Sequence, residues 1–399
     1  MVAWSSYGLD LKDYLIFLSH ERDPSLSNVA ISREVSETEP ISSESVRIRK
    51  QRMKESGFLR PDRTIEDPVL GERTQTEVEA VYSPHRLGLL RQHVLFVDVP
   101  GRSALDELKI LCDAHPYTHF RTIGYSSGAT LYAQFDIPPD AKEVMTNLYA
   151  ELENRNLFRE FHLYDTQSLA KHEADFGKWN LVENKWSVEY GTKSRRGDRL
   201  SRIESLWSEF QGSYENEPLE PCGPEMAFNF DELDLALVRE LTINGRPDIK
   251  PLGPIYDRDP TTISRRVKRL RETVVTEDML YYDRSVFDLT YPQLMTGDFS
   301  RDDELDANSL YWFIRSGGIP FETKASIEDN SFVLFITTPP SVAPEVSEFL
   351  WEHTANLDVF QLQLDASFTY FFYHKNYLGD GEWRTDDNYV IDEPLAELT

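Results

Sequence analysis

The sequence predicts an α+β chain built in tandem: two winged helix-turn-helix domains, each followed by a ferredoxin-like β-α-β-β-α-β sandwich. Three observations predict it. The second half repeats the first at an offset of 201 residues. Each repeat alternates strand-like apolar runs with segments of helical period. Each is preceded by three short helical segments, the third of them basic.

The repeat rests on aligned pairs. Phe120-Arg121-Thr122 falls on Phe321-Glu322-Thr323, and Pro138-Pro139 on Pro339-Pro340. Between them Leu131-Tyr132-Ala133-Gln134-Phe135 meets Phe332-Val333-Leu334-Phe335-Ile336. The same offset pairs Met145 with Val346, Leu148 with Phe349, Phe161 with Leu362 and Leu163 with Leu364. Residues 1–85 are read as the first winged helix, 90–190 as the first sandwich, 191–227 as a linker, 228–288 as the second winged helix and 289–399 as the second sandwich. The linker holds the basic run Lys193–Arg199 and a helical part, Leu200–Phe210.

In the first sandwich His93–Val99 is a continuous apolar run, hence a buried strand. Ser103 with Asp106 starts a helix on which Leu105, Leu108, Leu111 and Cys112 recur at helical spacing. Thr118–Ile123 and Thr130–Ile137 flank the turn Ser126-Ser127-Gly128. Asp140–Asn154 is the second helix and Phe158–Tyr164 the last strand. In the second sandwich the helices are Asp303–Ser316 and Ala343–Asn356. Its strands are Gln293–Gly297, Phe321–Ile327, Ser331–Thr337 and Val359–Asp365. Such a sandwich leaves one sheet face apolar, so each copy needs a partner sheet: the other copy, or a second chain.

Composition bounds the function. The chain has 399 residues, 42 Lys+Arg against 69 Asp+Glu and a formal net charge of −27. At 40% hydrophobic and 28% charged residues, this excludes a disordered tail, a collagen-like chain and a small disulfide scaffold. No apolar run approaches the roughly 20 residues that span a bilayer, and Met1–Ser6 does not read as a signal peptide. Cys112 and Cys222, the two cysteines, fit a reducing, cytoplasmic compartment and exclude a cysteine-based zinc site. An acidic surface repels DNA and anionic lipid, so any nucleic-acid contact must come from local basic patches. The low share of Lys, 13 against 29 Arg, is compatible with a salt-adapted proteome and equally with an ordinary acidic cytosolic protein.

Basic patches exist on both third helices. Val46–Lys54 carries Arg47, Arg49, Lys50, Arg52 and Lys54; Ile263–Arg271 carries Arg265, Arg266, Lys268, Arg269 and Arg271. Ser42, Ser43 and Ser45, or Thr261, Thr262 and Ser264, stand at the helix starts. Hydroxyls and amides there suit phosphate, and Arg or Lys suits phosphate or a guanine edge. The plainer reading of one such helix is a solvated face; two at matching positions favour double-stranded DNA.

The segment Phe230–Arg246, with Leu233, Asp234, Leu237, Leu241, Gly245 and Arg246, resembles the opening of the Lrp/AsnC-type transcriptional regulators. Thr262–Leu270 is similar to their recognition helix, and the sandwich to their effector and oligomerisation domain. The resemblance covers most of the chain as two tandem, archaeal-like copies and is weaker in the first winged helix. It implies a DNA-binding regulator whose paired sandwiches space the recognition helices, as a homodimer or an intrachain pseudo-dimer. It also implies a small-molecule effector near the turn Gly124, Tyr125, Ser126 and Ser127, although the family's Gly-x-aromatic-Asp pattern is absent there. Pro251 and Pro254 depart from the family and predict a distorted second helix in the second unit.

Enzyme chemistry leaves little trace. No His-Glu-x-x-His, nucleophile elbow or Walker loop occurs. His115 and His119 stand four apart, but Pro116 and the strand-like Tyr117-Thr118 argue against a helical metal pair. Phe368 and Tyr370–Tyr373 read as a sheet or dimer face rather than a base-stacking platform, because basic residues are not interleaved. The expectation is therefore a non-enzyme with no metal, no cofactor, no membrane and no catalytic residue. The alternatives are a scaffold on the same fold and an enzyme resembling the tetrapyrrole decarboxylases that act on siroheme, which are similar to tandem Lrp/AsnC units. In the latter, His115, His119 and Arg121 would serve a pocket between the sandwiches.

Overall fold

The computed structural model describes residues 6–187, 202–213, 218–299 and 305–398; the basic run Lys193–Arg199 lies outside the described residues. The first winged unit contains α1 (Leu11–Arg22), α2 (Asn28–Ser36), α3 (Ser43–Glu55) and a hairpin, β1 (Arg63–Asp67) with β2 (Gly71–Gln75), followed by β3 (Val78–Tyr82). The first sandwich is β4 (Leu90–Val99), α4 (Arg102–Ala114), β5 (Thr118–Tyr125), β6 (Ala129–Ile137), α5 (Lys142–Asn154) and β7 (Glu160–Asp165). Then come β8 (Ser168–His172), the pair β9 (Trp179–Asn180) and β10 (Lys185–Trp186), and α6 (Arg202–Ser213). The second unit has α7 (Glu232–Ile243), α8 (Ile249–Ile255), α9 (Pro260–Thr273) and β11 (Val275–Leu280). The second sandwich is β12 (Tyr291–Asp298), α10 (Ala307–Arg315), β13 (Thr323–Ile327), β14 (Ser331–Thr338), α11 (Ala343–His353) and β15 (Ala355–Thr369). The pair β16 (Tyr377–Gly379) and β17 (Glu382–Trp383) and α12 (Glu393–Ala396) close the described chain.

The fold class is the expected one. Both sandwiches show the ferredoxin-like strand order within a single nine-stranded sheet, β7-β4-β6-β5-β15-β12-β14-β13-β8. The seam is β5 on β15, where Gly124 stands opposite Leu362. β7 and β8 are separated by Thr166 and Gln167 in sequence yet lie at opposite ends of the sheet, so the sheet curls back on itself. Its concave face buries Leu95, Tyr132, Leu294, Val333, Phe360 and Leu362, drawn from both copies. The partner sheet each copy needs is thus the other copy. The convex face of the first copy packs on α4 and α5 through Leu108, Leu111, Met145 and Leu148. That of the second packs on α10 and α11 through Leu310, Phe313, Val346 and Phe349, with Trp207 of α6 beside them.

Several local expectations shift. α8 forms despite its prolines: Pro251 falls in the first turn, whose amides have no helical partner, and the helix is short, ending where Asp257 takes a positive φ of 50°. β15 starts earlier than expected and runs 15 residues, across the seam. The winged units are also joined directly, because β3 pairs antiparallel with β11.

The register refines the repeat. Gln92 opposes Phe135 as Gln293 opposes Ile336, so the offset read from the prolines holds for these strands. Elsewhere it slips. Phe120 opposes Gln134 while Lys324 opposes Phe335, so the counterpart of Phe120 is Lys324 rather than Phe321. Leu163 opposes Val94 and Val359 opposes Met295, so Leu163 corresponds to Val359 rather than Leu364.

Gly124 owes its place to the seam. A Cβ there would lie 3.2 Å from Phe360 Cβ and 3.3 Å from Leu362 Cδ2. Gly124→Val is expected to lower the unfolding free energy by about 1–3 kcal/mol in denaturant titrations, the usual cost of overpacking.

Candidate functional site

The two basic helices are held by acids of their own units. Asp10 and Asp13 form the capping box of α1, and Asp231 and Asp234 that of α7. Arg49 reaches Asp10 at 2.8 Å and Asp13 at 2.9 Å, and Arg52 also binds Asp13. Arg266 reaches Asp231 at 2.6 Å and Asp234 at 3.0 Å, and Arg269 reaches Asp234 at 2.9 Å. Both units therefore use one device: two aspartates three residues apart on the first helix clamp two arginines three residues apart on the third. The same aspartates accept the amides of the cap, so one side chain orients both helices.

The other residues singled out on these helices divide. Arg47 pairs with Glu44 and is exposed; Lys50 is buried, 3.8 Å from Glu77; Lys54 pairs with Asp62 and Glu77. Lys268 stands 3.8 Å from Glu272, and Arg271 pairs with Asp278. Arg265 is exposed and, among the described residues, has no carboxylate partner. The Ser45 amide donates to Ser42 Oγ and the Thr261 amide to Asp259, while Thr261 and Ser264 are exposed and Thr262 is half-buried. Tyr125, Ser126 and Ser127 are exposed, and Ser126–Gly128 form a three-residue hairpin loop in which the Ser126 amide donates to the Gly128 carbonyl at 3.1 Å.

A different cluster lies at one end of the concave face. On β4, Arg91 and His93 share the face of Leu95; on β6, Gln134 and Asp136 share that of Tyr132. Arg91 sits directly opposite Asp136 and grips it with both arms, Nε to Oδ1 at 2.7 Å and Nη2 to Oδ2 at 2.8 Å. Tyr82, at the end of β3, donates its hydroxyl to Asp136. His119 brings Nδ1 to 3.6 Å from Asp136 Oδ2 and 3.4 Å from the Tyr82 hydroxyl. Deeper in, His93 binds the Tyr132 hydroxyl through Nδ1 at 2.6 Å and Thr166 Oγ1 through Nε2 at 2.9 Å. Ser326 of the second copy donates to Thr166 at 2.9 Å, tying the two ends of the sheet.

His119 projects from a β-bulge: β5 skips between Thr118, opposite Phe135, and Phe120, opposite Gln134. The extra residue re-aims a side chain that regular pairing would have placed elsewhere. β13 pairs with β14 without such a skip. No hydrogen-bond partner of His119 Nε2 occurs among the described residues, and the side chain remains 16% exposed, so that nitrogen can meet a ligand.

The charge states follow from burial. Burial pushes His119 and His93 down to about 3 and His85 to about 4; Arg91 adds to each effect and Asp136 opposes it. Burial opposes ionisation of Asp136, but Arg91 and His119 outweigh it and hold the carboxyl at about 2. The free chain thus carries neutral histidines beside an ionised, fully engaged Asp136.

The cluster belongs to one copy alone. At the corresponding positions the second copy has Pro292 for Arg91, Leu294 for His93, Val333 for Tyr132 and Thr337 for Asp136. Sequence reasoning had offered His115, His119 and Arg121. His119 reaches the cluster; His115 packs edge-on against Phe135 at 5.1 Å in the helix-side core, and Arg121 pairs with Asp113 at 2.9 Å. Tyr82, His85, Arg91, His93, Tyr132 and Asp136 were missed. The signals were the polar run Arg91-Gln92-His93 at the start of β4 and an aspartate inside the apolar Phe135-Asp136-Ile137.

No protein-family model and no curated protein matches the sequence. Solved structures are similar in fold. The siroheme decarboxylase NirDL, in complex with an iron-uroporphyrin III analogue, aligns with 91% of this chain and 96% of its own at 10% identity and a TM-score of 0.49. NirDL alone aligns with 88% of this chain and 90% of its own at 10% identity and a TM-score of 0.47. An AsnC family transcriptional regulator from Agrobacterium tumefaciens aligns with 39% of this chain and 89% of its own at 13% identity and a TM-score of 0.27. The expectation of a non-enzyme is corrected here: the structures that align along nearly the whole chain bear the name of an enzyme, siroheme decarboxylase, whereas the regulator aligns with 39% of it. No helix among the described residues is long and apolar enough to cross a membrane.

The cluster predicts a pH signature. The unfolded chain takes up histidine protons near 6.5, the folded chain near 4 for His85 and near 3 for His93 and His119. Between these values the unfolded state holds more protons, so these groups make stability fall as pH drops from 6.5 toward 3. In denaturant titrations at pH 7 and pH 5, His93→Leu with Tyr132→Val, which copies the second repeat, is expected to show a smaller loss at pH 5 than the unaltered chain.

Proposed function

We propose that the chain is a decarboxylase of siroheme-type tetrapyrroles, with His119 carrying the proton. The single observation that carries this reading is the bulged His119, its Nδ1 turned to the ionised Asp136 and its Nε2 without a hydrogen-bond partner among the described residues. Decarboxylation breaks one carbon–carbon bond, releases carbon dioxide and leaves an electron pair on carbon that must take up a proton. A histidine supplying it has to be the imidazolium when substrate is bound. His119 is neutral in the free chain, and a substrate carboxylate beside it adds negative charge that favours the imidazolium. Asp136, fixed by Arg91 and Tyr82, orients the ring and steadies that charge, so the proton arrives with the substrate that consumes it.

The test is incubation of the purified chain with siroheme under anaerobic conditions, with loss of carboxyl groups read by mass spectrometry. Turnover is expected, and His119→Gln and Asp136→Asn should each lower the rate by roughly 10²–10⁴-fold, the usual share of general acid–base catalysis. The DNA-binding reading would have to use the exposed heads of Arg47, Arg265 and Lys268. Absence of turnover together with a gel shift abolished by Arg47→Ala with Arg265→Ala would favour it instead.

A further inference from the structure

We propose that Lys324, contributed by the second copy, binds a carboxylate of the substrate beside the His119 cluster; this rests on the reading above. The second copy lacks the cluster, but at the counterpart of Phe120 it carries a cation on the same concave face. Lys324 shares the face of Ser326, two residues on, whose hydroxyl bonds Thr166, which in turn bonds His93 and donates its amide to the Arg91 carbonyl at 3.0 Å. The lysine therefore lies one step along β13 from the point where the two copies meet over the cluster.

Its neighbours leave it free for a ligand. Arg91 is spent on Asp136 through both arms. Lys171 stands directly opposite Lys324 on β8 and is held by both Glu173 and Glu277. Lys324 has Glu322 at 3.8 Å, but Glu322 is itself gripped by Arg284 at 2.6 Å, and the Lys324 side chain is 34% exposed. Leu169, on the face of Lys171 and opposite Ser326, is 44% exposed, so apolar surface adjoins the cation. A ligand with a flat apolar body and carboxylates at its rim matches that pairing.

The surroundings give the approach a direction. The cavity of about 350 Å³ between the α1–α2 connection and β11 is lined by Glu21, Asp23, Glu173, Glu277, Asp278 and Glu322, against Arg22, Arg271 and Arg284. Glu322, 3.8 Å from Lys324, belongs to that lining, so a carboxylate ligand meets Lys324 from the side away from it.

The experiment titrates the full chain with iron-uroporphyrin III, following the porphyrin absorption band. Lys324→Ala is expected to weaken binding roughly tenfold, Lys324→Arg to keep it within about threefold, and Lys171→Ala to change it little, a tenfold loss being about 1.4 kcal/mol. The fully esterified porphyrin should not distinguish Lys324→Ala from the unaltered chain. Equal affinity of Lys324→Ala and the unaltered chain for the acid form overturns this assignment and leaves the decarboxylase reading standing. If the unaltered chain binds no porphyrin, both fall.

Discussion

The pairing of β5 with β15 is the contact on which the rest of the molecule depends. A ferredoxin-like sheet covers one face with its own helices and leaves the other apolar. Here the two bare faces belong to one chain, and joining their edges lets the sheet curl until each covers the other. The interior so made is apolar where Leu95, Leu294, Val333, Phe360 and Leu362 meet. At one end it is polar, where Arg91, Asp136, His93 and His119 gather. Because both halves are encoded together, each position of the repeat can be filled independently. The first copy carries buried charge where the second carries Pro292, Leu294, Val333 and Thr337.

Charge in this acidic chain is mostly used inward. The arginines of α3 and α9 are the densest basic stretches, and each is matched by capping aspartates of the preceding helices. Asp13 and Asp234 are buried, so each carboxylate needs the arginines as much as they need it. The clamp accounts for Arg49, Arg52, Arg266 and Arg269 by internal packing, while Arg47, Arg265 and Lys268 stay exposed. Arg91 follows the same economy at the sheet: a buried carboxylate is tolerated because a guanidinium meets it face to face.

Much of the architecture was legible because it is local. The apolar periods of α4 and α5, the double prolines ending β6 and β14, and the basic third helices can all be read within a short window. What escaped depends on pairing between distant residues. Asp136 looks like an interruption of a strand until Arg91, far back in the chain, is set opposite it by the β4–β6 register. The bulge that turns His119 inward leaves no mark in composition, and it explains why matching Phe120-Arg121-Thr122 to Phe321-Glu322-Thr323 misplaced the counterpart of Lys324. The basic helices were read as facing outward because their aspartate partners stand some 35–39 residues away in sequence. A spacing rule sees a cation; only the fold shows which acid it meets.

The central claim is that the proposed site occurs once in the chain, around the His119 cluster of the first copy. The most direct measurement is the number of iron-uroporphyrin III molecules bound per chain at saturation, by calorimetry on the chain and on its His119→Ala variant. The account predicts one per chain, with the heat strongly reduced in the variant. Two equivalent molecules per chain, or one bound with identical heat when His119 is absent, would contradict it.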